Sequence, residues 1–263
     1  MIMSSIKKAI VYKDIKELFS SKQVYIPIII VPLFFSLLMP SMLVFGAKYG
    51  NSSIDGLDKI LNQLPANLNL NSNPQKIIYT ALNYLLPSLF LIIPVMSSSV
   101  IGASSIVGEK ERKTLETLLY TPINLKELFL SKVIGILIPS YIITLISSVL
   151  FGIILNIGGL MYFDKLIFPN MKWIVLLLWL CPSVTILSLI VVVLASAKAS
   201  TFQESQQVVS LIIIPIILLV VGQSTGLFLL NTFSMFLLGA FIFIVDLFLL
   251  KIISKSFKIE KLI

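Results

Sequence analysis

The chain has 263 residues, of which 57% are hydrophobic and only 12% are charged. A soluble domain carries about 25% charged residues, so this composition excludes an ordinary soluble protein and indicates one built for a lipid bilayer. With no His and a single Cys, Cys181, a disulfide framework is excluded and a His/Cys metal site is disfavoured. Cys181 lies in an apolar run and is predicted to be a buried thiol.

The N-terminal segment, residues 1–22, is predicted to lie at the membrane interface. Its apolar stripe has the spacing i, i+4, i+7, i+8 of an amphipathic helix and consists of Val11, Ile15, Leu18 and Phe19. The segment lacks the order of regions that defines a signal peptide, so the first membrane span is expected to be retained.

Six apolar runs follow, and all but the fifth are at least as long as the roughly 20 residues that a membrane-spanning helix needs. The predicted spans are residues 24–45, 77–107, 133–157, 173–195, 208–221 and 228–250. The fifth is short, and the uncharged stretch 222–226 after it is either a tight turn or a partly re-entrant hairpin. The fold class is therefore an all-α integral membrane protein whose single transmembrane domain covers residues 1–263.

The Lys and Arg residues are distributed unevenly between the two sides of this topology. Fifteen of them fall in the two termini and in the connections after the second and fourth spans, and five fall in the other connections. Because cytoplasmic segments carry the basic excess, both termini are predicted to be cytoplasmic. The segments 51–73 and 158–172 are then predicted to face outside.

Prolines recur in the spans, and each removes one backbone hydrogen bond, so neighbouring helices, hydroxyl side chains or water must satisfy the freed carbonyls. Serines 97–99, 104 and 105, near the end of the second span, are suited to helix packing or to lining a cavity.

The most charged segment connects the second and third spans, over residues 108–132. Leucines at helical spacing on one face and charges on the other predict a short amphipathic helix over residues 109–120. Pro122 ends it, and Asn124 with Glu127 forms a capping-box pattern for the next helix. From this pattern alone, the segment either binds anionic lipid headgroups or contacts another protein.

The same segment resembles the signature of type-2 ABC export permeases, most closely the branch of sodium-efflux and peptide- or drug-export permeases. The matching positions are Glu109, Glu111, Thr114, Glu116, Leu118, Leu119, Thr121, Pro122, Ile123, Asn124, Glu127, Leu128 and Lys132. Two further segments, 198–206 and 257–263, resemble motifs of that branch, although Ile259 stands where an Arg is usual.

The resemblance implies a six-span exporter of the type V fold whose residues 109–120 form a coupling helix. In this family that helix docks into a groove on a separate ABC ATPase, and the N-terminal amphipathic helix joins the contact. The implied ATPase-coupling residues are Glu109, Glu111, Arg112, Thr114, Leu115, Glu116, Leu118, Leu119, Thr121 and Pro122.

The implied assembly has two ATPase subunits and a second permease copy, as a homodimer in the plasma membrane of a bacterial cell. No nucleic acid, metal or chain-bound cofactor is expected, since the partner ATPase would hold ATP and Mg²⁺. The run 102–110 departs from a phosphate loop in its glycine spacing and in the residue before Lys110, so ATP hydrolysis is expected to be absent from this chain.

Three function classes compete. The first is an exporter of an apolar or amphipathic substrate such as a peptide, drug or lipid-like molecule, with sodium efflux as the alternative within the family.

The second class, a channel or secondary transporter, would place ionisable residues deep in the spans. Asp246 is the one clear intramembrane carboxylate, and it is expected to reach the inner headgroups or to pair with a neighbour. An intramembrane enzyme, the third class, has few possible catalytic residues here. No substrate-binding residue is predicted.

Overall fold

The computed structural model describes residues 21–48, 70, 72–112, 125–196, 199, 201–227 and 229–256, and the regular elements of this part are all helical. Its α-helices are Lys22–Leu33, Met39–Gly46, Asn73–Thr80, Leu86–Phe90, Ile92–Glu111, Leu125–Phe163, Met171–Val175, Cys181–Ser196, Phe202–Ser210, Ile213–Ser224 and Thr232–Ser256. Three π-helical turns interrupt them, at Phe34–Leu38, Ala81–Leu85 and Leu176–Leu180.

These helices form six segments long and apolar enough to cross a membrane, which confirms the predicted all-α, six-span fold. The first to sixth spans are Lys22–Gly46, Asn73–Glu111, Ser131–Phe163, Met171–Ser196, Phe202–Ser224 and Thr232–Lys251. The predicted interfacial helix lies outside the described residues except for residues 21 and 22. Most of the outer segment 51–73 and the tail 257–263 also lie outside them.

The third span differs from its prediction, because its helix continues to Phe163 through residues placed in an outer loop. Gly158 allows this continuation, since the helix there packs directly on the first span. A Cβ atom at Gly158 would lie 2.6 Å from a methyl carbon of Val44. The absence of a side chain therefore serves close helix packing here and does not mark the end of the helix.

The fifth span also differs, because it is not short. It covers 23 residues, from Phe202 to Ser224, with a single break between its two helices at residues 211–212. Gly226, at φ 73°, then ends the helix. The amides of Gly226 and Leu227 donate to the carbonyls of Gln223 and Gly222 at 3.0 Å each, which is the Schellman arrangement. Residues 222–224 therefore belong to the helix, and the chain turns at residues 225–227.

Each π-helical turn is followed two residues later by a proline, namely Pro40, Pro87 or Pro182. In a π-helix each backbone carbonyl accepts a hydrogen bond from the N–H five residues later. Proline has no N–H, so the carbonyl five residues before each of these prolines needs another donor. For Pro87 that carbonyl is Leu82, which accepts a hydrogen bond from the Trp173 indole at 3.1 Å. For Pro182 it is Leu177, which accepts from the Tyr141 hydroxyl at 3.0 Å. Neighbouring spans thus satisfy two of the carbonyls that the prolines free.

The second span is the centre of the bundle. In its most apolar stretch 78% of the residues are buried, against 17% for the sixth span. It contacts the first, third, fourth and fifth spans, whereas the sixth packs mainly on the fourth. Any force applied to the end of the second span therefore acts on an element that most of the bundle touches.

Candidate functional site

The end of the second span carries the first residues of the predicted coupling segment. The helix Ile92–Glu111 runs without a break through Gly108, and Arg112 follows as its C-cap. The prediction that a separate helix starts at Glu109 is therefore wrong, since Glu109 and Glu111 belong to the spanning helix. Arg112 helps to end this helix, because its Nε donates to the Gly108 carbonyl at 3.0 Å.

The other predicted coupling residues lie between residues 113 and 124, outside the described residues. They are Thr114, Leu115, Glu116, Leu118, Leu119, Thr121 and Pro122. The chain is described again from Leu125, which is already helical and belongs to the helix of the third span. The predicted cap at Asn124 lies outside the described residues.

A buried ion pair joins the two helices that flank this segment. The Lys132 ammonium lies 2.6 Å from a Glu109 carboxylate oxygen, and the two side chains are 7% and 1% exposed. Lys132 also donates to the backbone carbonyl of Ser105 at 2.7 Å and to its hydroxyl at 3.2 Å. One lysine of the third span thereby holds two successive turns of the second span.

Glu111 points the other way and binds the fifth span. Its carboxylate accepts a hydrogen bond at 3.0 Å from the backbone amide of Phe202, the first residue of that helix. This amide has no partner within its own helix, and a carboxylate there also interacts favourably with the helix dipole. At the same helix start, the hydroxyl of Thr201, the residue before Phe202, accepts a hydrogen bond from the Glu204 amide at 3.3 Å.

A second link between these two spans lies deeper in the bundle. The Gln206 side-chain amide donates to the Ser99 carbonyl at 3.0 Å. The fifth span is thus tied to the second near both Ser99 and Glu111. We define the cytoplasmic junction as Glu109, Glu111, Lys132 and Gln206 together with their partners on the second and fifth spans. The word cytoplasmic refers to the side predicted from the distribution of basic residues.

The junction connects three spans around the entry and exit of one loop. The two spans that flank residues 113–124 are joined by the Glu109–Lys132 pair, and the second span is also joined to the fifth through Glu111. Removing one partner of a buried ion pair leaves an uncompensated charge, so this link resists opening. A displacement of the end of the second span consequently acts on the third and fifth spans as well.

Sequence reasoning used Lys132 only as the last position of a motif and did not assign it a partner. The signal was present, because intramembrane ionisable residues usually pair, and Glu109 is the acidic residue that ends the preceding span. Ser105 and Gln206 carry no comparable signal, since serines and glutamines pair with backbone carbonyls in many different arrangements.

The serine-rich stretch of the second span is buried in the bundle. Ser98 donates to the Pro94 carbonyl of its own helix at 2.7 Å. Beside this stretch, Ser188 of the fourth span donates to the Val95 carbonyl at 3.1 Å and so joins the two spans. Ser99 instead lines a cleft of about 300 Å³ between the second and fifth spans, together with Gln206 and Gln207.

Asp246 is fully buried, and neither of its carboxylate oxygens has a hydrogen-bond partner among the described residues. Its complete burial contradicts the expectation that it reaches the headgroups, and none of the described residues pairs with it. Helical spacing places it on the same face as Ile242, Leu249 and Leu250, which all pack against the bundle core. Within the described part of the chain, no group of three or more His, Cys, Asp or Glu residues is arranged to hold a metal ion.

The fold defines a multi-pass helical membrane protein whose second, third and fifth spans are joined by buried and exposed polar contacts at the junction. The chain belongs to the ABC-2 family of transporter proteins, since the family model described as ABC-2 family transporter protein matches residues 8–252. The type-2 ABC permease family inferred from the charged motif is thereby confirmed. Among curated proteins and among solved structures, nothing matches this chain.

Proposed function

We propose that this ABC-2 permease is the membrane subunit of an ATP-driven exporter that moves an apolar or amphipathic substrate out of the cell. Two copies of the chain, as a homodimer, work with two ABC ATPase subunits. The observation that carries the proposal is the cytoplasmic junction, because it links the charged loop to three spans through buried polar contacts. Of the predicted coupling segment 109–120, the residues after the buried Glu109 supply the contact with the ATPase, and the junction passes its movement to the bundle.

The energy source in this proposal is the partner subunit, which binds ATP and Mg²⁺. The run 102–110, the one segment with some likeness to a phosphate loop, is part of the α-helix Ile92–Glu111. Its backbone amides are engaged in helical hydrogen bonds, and a phosphate loop needs such amides free to surround phosphate. Gly102 serves packing instead, since a Cβ there would lie 3.2 Å from a methyl carbon of Val192.

The proposed substrate class rests on the shortage of oxygen ligands within the spans. A sodium path needs several converging oxygen ligands. Asp246 is a single buried carboxylate without a hydrogen-bond partner among the described residues, which favours a peptide, drug or lipid-like cargo over sodium. Sodium efflux remains the alternative that the transport assay must separate.

Inverted membrane vesicles that contain the permease and its ABC ATPase test the proposal. We expect ATP-dependent uptake of a fluorescent amphipathic peptide or dye, without uptake of ²²Na⁺. Asp246→Asn should keep this uptake within a few-fold of wild type, because the substitution preserves shape and removes an unpaired buried charge. Complete loss of transport by a normally assembled Asp246→Asn variant would contradict this role for Asp246 and support ion coupling.

The orientation of the permease gives a further prediction, based on the bias of fifteen basic residues to five. In a Cys181→Ala background, a membrane-impermeant thiol reagent should modify Ser53→Cys in intact cells and should not modify Thr117→Cys. Both positions should react after the cells are lysed, which controls for accessibility. Labelling of Thr117→Cys in intact cells would contradict cytoplasmic termini.

A further inference from the structure

A second polar site lies at the end of the bundle opposite the cytoplasmic junction. There a cavity of about 760 Å³ opens among the second, third, fourth and sixth spans. The volume falls within the roughly 300–1,000 Å³ of small-molecule sites. We call it the distal cavity, and its polar lining includes Tyr79, Asn83, Tyr84, Lys165 and Lys172.

Lys172 gives the distal cavity a buried positive charge. Its side chain is 8% exposed, and its ammonium donates to the backbone carbonyls of Asn83 at 2.6 Å and Leu230 at 2.5 Å. The ammonium also lies 4.4 Å from the centre of the Tyr84 ring. Carbonyls and an aromatic face carry only partial negative charge, whereas buried cations are ordinarily paired with a full one.

The described residues that line the cavity supply no such partner. None of them is Asp or Glu, and Asp164, the described carboxylate beside Lys165 in sequence, is not part of the lining. Lys165 adds a second, exposed positive charge at the rim. The charged side chains among the described lining residues are therefore all positive, and an anion is the ligand that complements them.

The cavity also offers hydrogen-bond donors suited to an oxyanion. The hydroxyls of Tyr79 and Tyr84 form no hydrogen bond with another described residue, and each phenol can donate one. Apolar side chains flank this polar lining, since Leu166 and Met171 line the cavity and are each 66% exposed. A polar pocket bordered by exposed apolar groups matches an amphiphile with an anionic head.

We propose that the distal cavity binds a phosphate-bearing anion, with Lys165 and Lys172 providing charge and the Tyr79 and Tyr84 hydroxyls donating to phosphate oxygens. A lipid headgroup and a soluble organic phosphate share this chemistry. The site is independent of the proposed export function, because it stands on residues that do not belong to the junction. Its occupancy can be measured on the permease alone.

The experiment uses the purified full-length permease and two probes. Native mass spectrometry compares retention of phosphatidylglycerol with retention of zwitterionic phosphatidylcholine, and thermal-shift titration measures binding of glycerol 1-phosphate. The test variant is Tyr79→Phe with Lys165→Gln, which leaves both Lys172 hydrogen bonds in place. Lys76→Gln is the matched control, because Lys76 lies one helix turn from Tyr79 and does not line the cavity.

We expect the wild type and Lys76→Gln to prefer an anionic phosphate probe, and the double variant to bind it about tenfold more weakly. Preference for phosphatidylglycerol without a glycerol 1-phosphate shift identifies a lipid site, and the converse identifies a soluble phosphate. If the Lys172→Gln variant folds, it should bind the anionic probe more weakly than the double variant does. Equal retention of the two lipids with no glycerol 1-phosphate shift, or equal binding by wild type and double variant, would overturn the proposal.

Discussion

Leu118→Asp is expected to abolish co-purification of the ABC ATPase with the permease while the permease still inserts in the membrane. The sequence pattern places Leu118 on the apolar face of the coupling helix, and the proposal buries this face in the ATPase. Burying even a neutral polar group without a hydrogen bond costs about 2–7 kcal/mol, and an ionised carboxylate costs more, which is enough to dissociate a complex of moderate affinity. Affinity purification followed by ATPase activity measurements checks both assembly and coupling.

Thr117→Asp is the matched control for this prediction. It adds the same charge one residue away, on the helix face shared with Lys113, and it should leave assembly largely intact. If the segment instead binds anionic lipid, Leu118→Asp would leave assembly and coupling unchanged and weaken only membrane binding. Wild-type coupling in Leu118→Asp would therefore refute the docking role of this helix.

Glu109→Gln is expected to destabilise the permease strongly, because it leaves the Lys132 ammonium buried without its counter-charge. Breaking one side of a buried ion pair typically costs about 3–5 kcal/mol. Glu111→Gln is the control, since Glu111 is exposed and a glutamine oxygen can still accept from the Phe202 amide. Thermal unfolding in detergent should show a large fall for Glu109→Gln and a midpoint near wild type for Glu111→Gln.

The double variant Glu109→Leu with Lys132→Met separates stability from transmission. Replacing both charges by apolar groups is often neutral for stability, so this variant should unfold at a higher temperature than either single variant. Because the loop ends are then no longer joined by charge, we expect the ATPase to bind while substrate no longer stimulates its activity. A Glu109→Gln variant as stable as wild type would show that the pair does not brace the junction.

The part of the fold that depends on local chain properties was predictable. A run of apolar residues spans a bilayer because of its own length and hydropathy, so the number of spans follows without knowledge of their neighbours. The effect of prolines is also local, and the three π-helical turns each stand just before one. The family motif between Glu109 and Lys132 is likewise a property of a continuous stretch of sequence.

Errors arose where packing overrides a local signal. The prediction that an outer segment starts at Gly158 is wrong, because this glycine lies inside a helix where the first span packs against it. Asp246 was placed near the headgroups from its distance to Lys251 along the chain, but its helix face is covered by neighbouring spans. In both cases the deciding contact comes from a residue distant in sequence, which no local pattern reports.

By itself, the sequence determined that this protein is a six-span, all-α ABC-2 permease with one charged loop. Span length, charge and motif each depend only on residues that are consecutive in the chain. Only the tertiary structure decided that Glu109 pairs with Lys132, that Glu111 caps the fifth span and that Lys172 faces the distal cavity. Each of these contacts depends on which helix faces meet across the bundle. That choice is made by the packing of all six spans together, and residue spacing along one helix does not contain it.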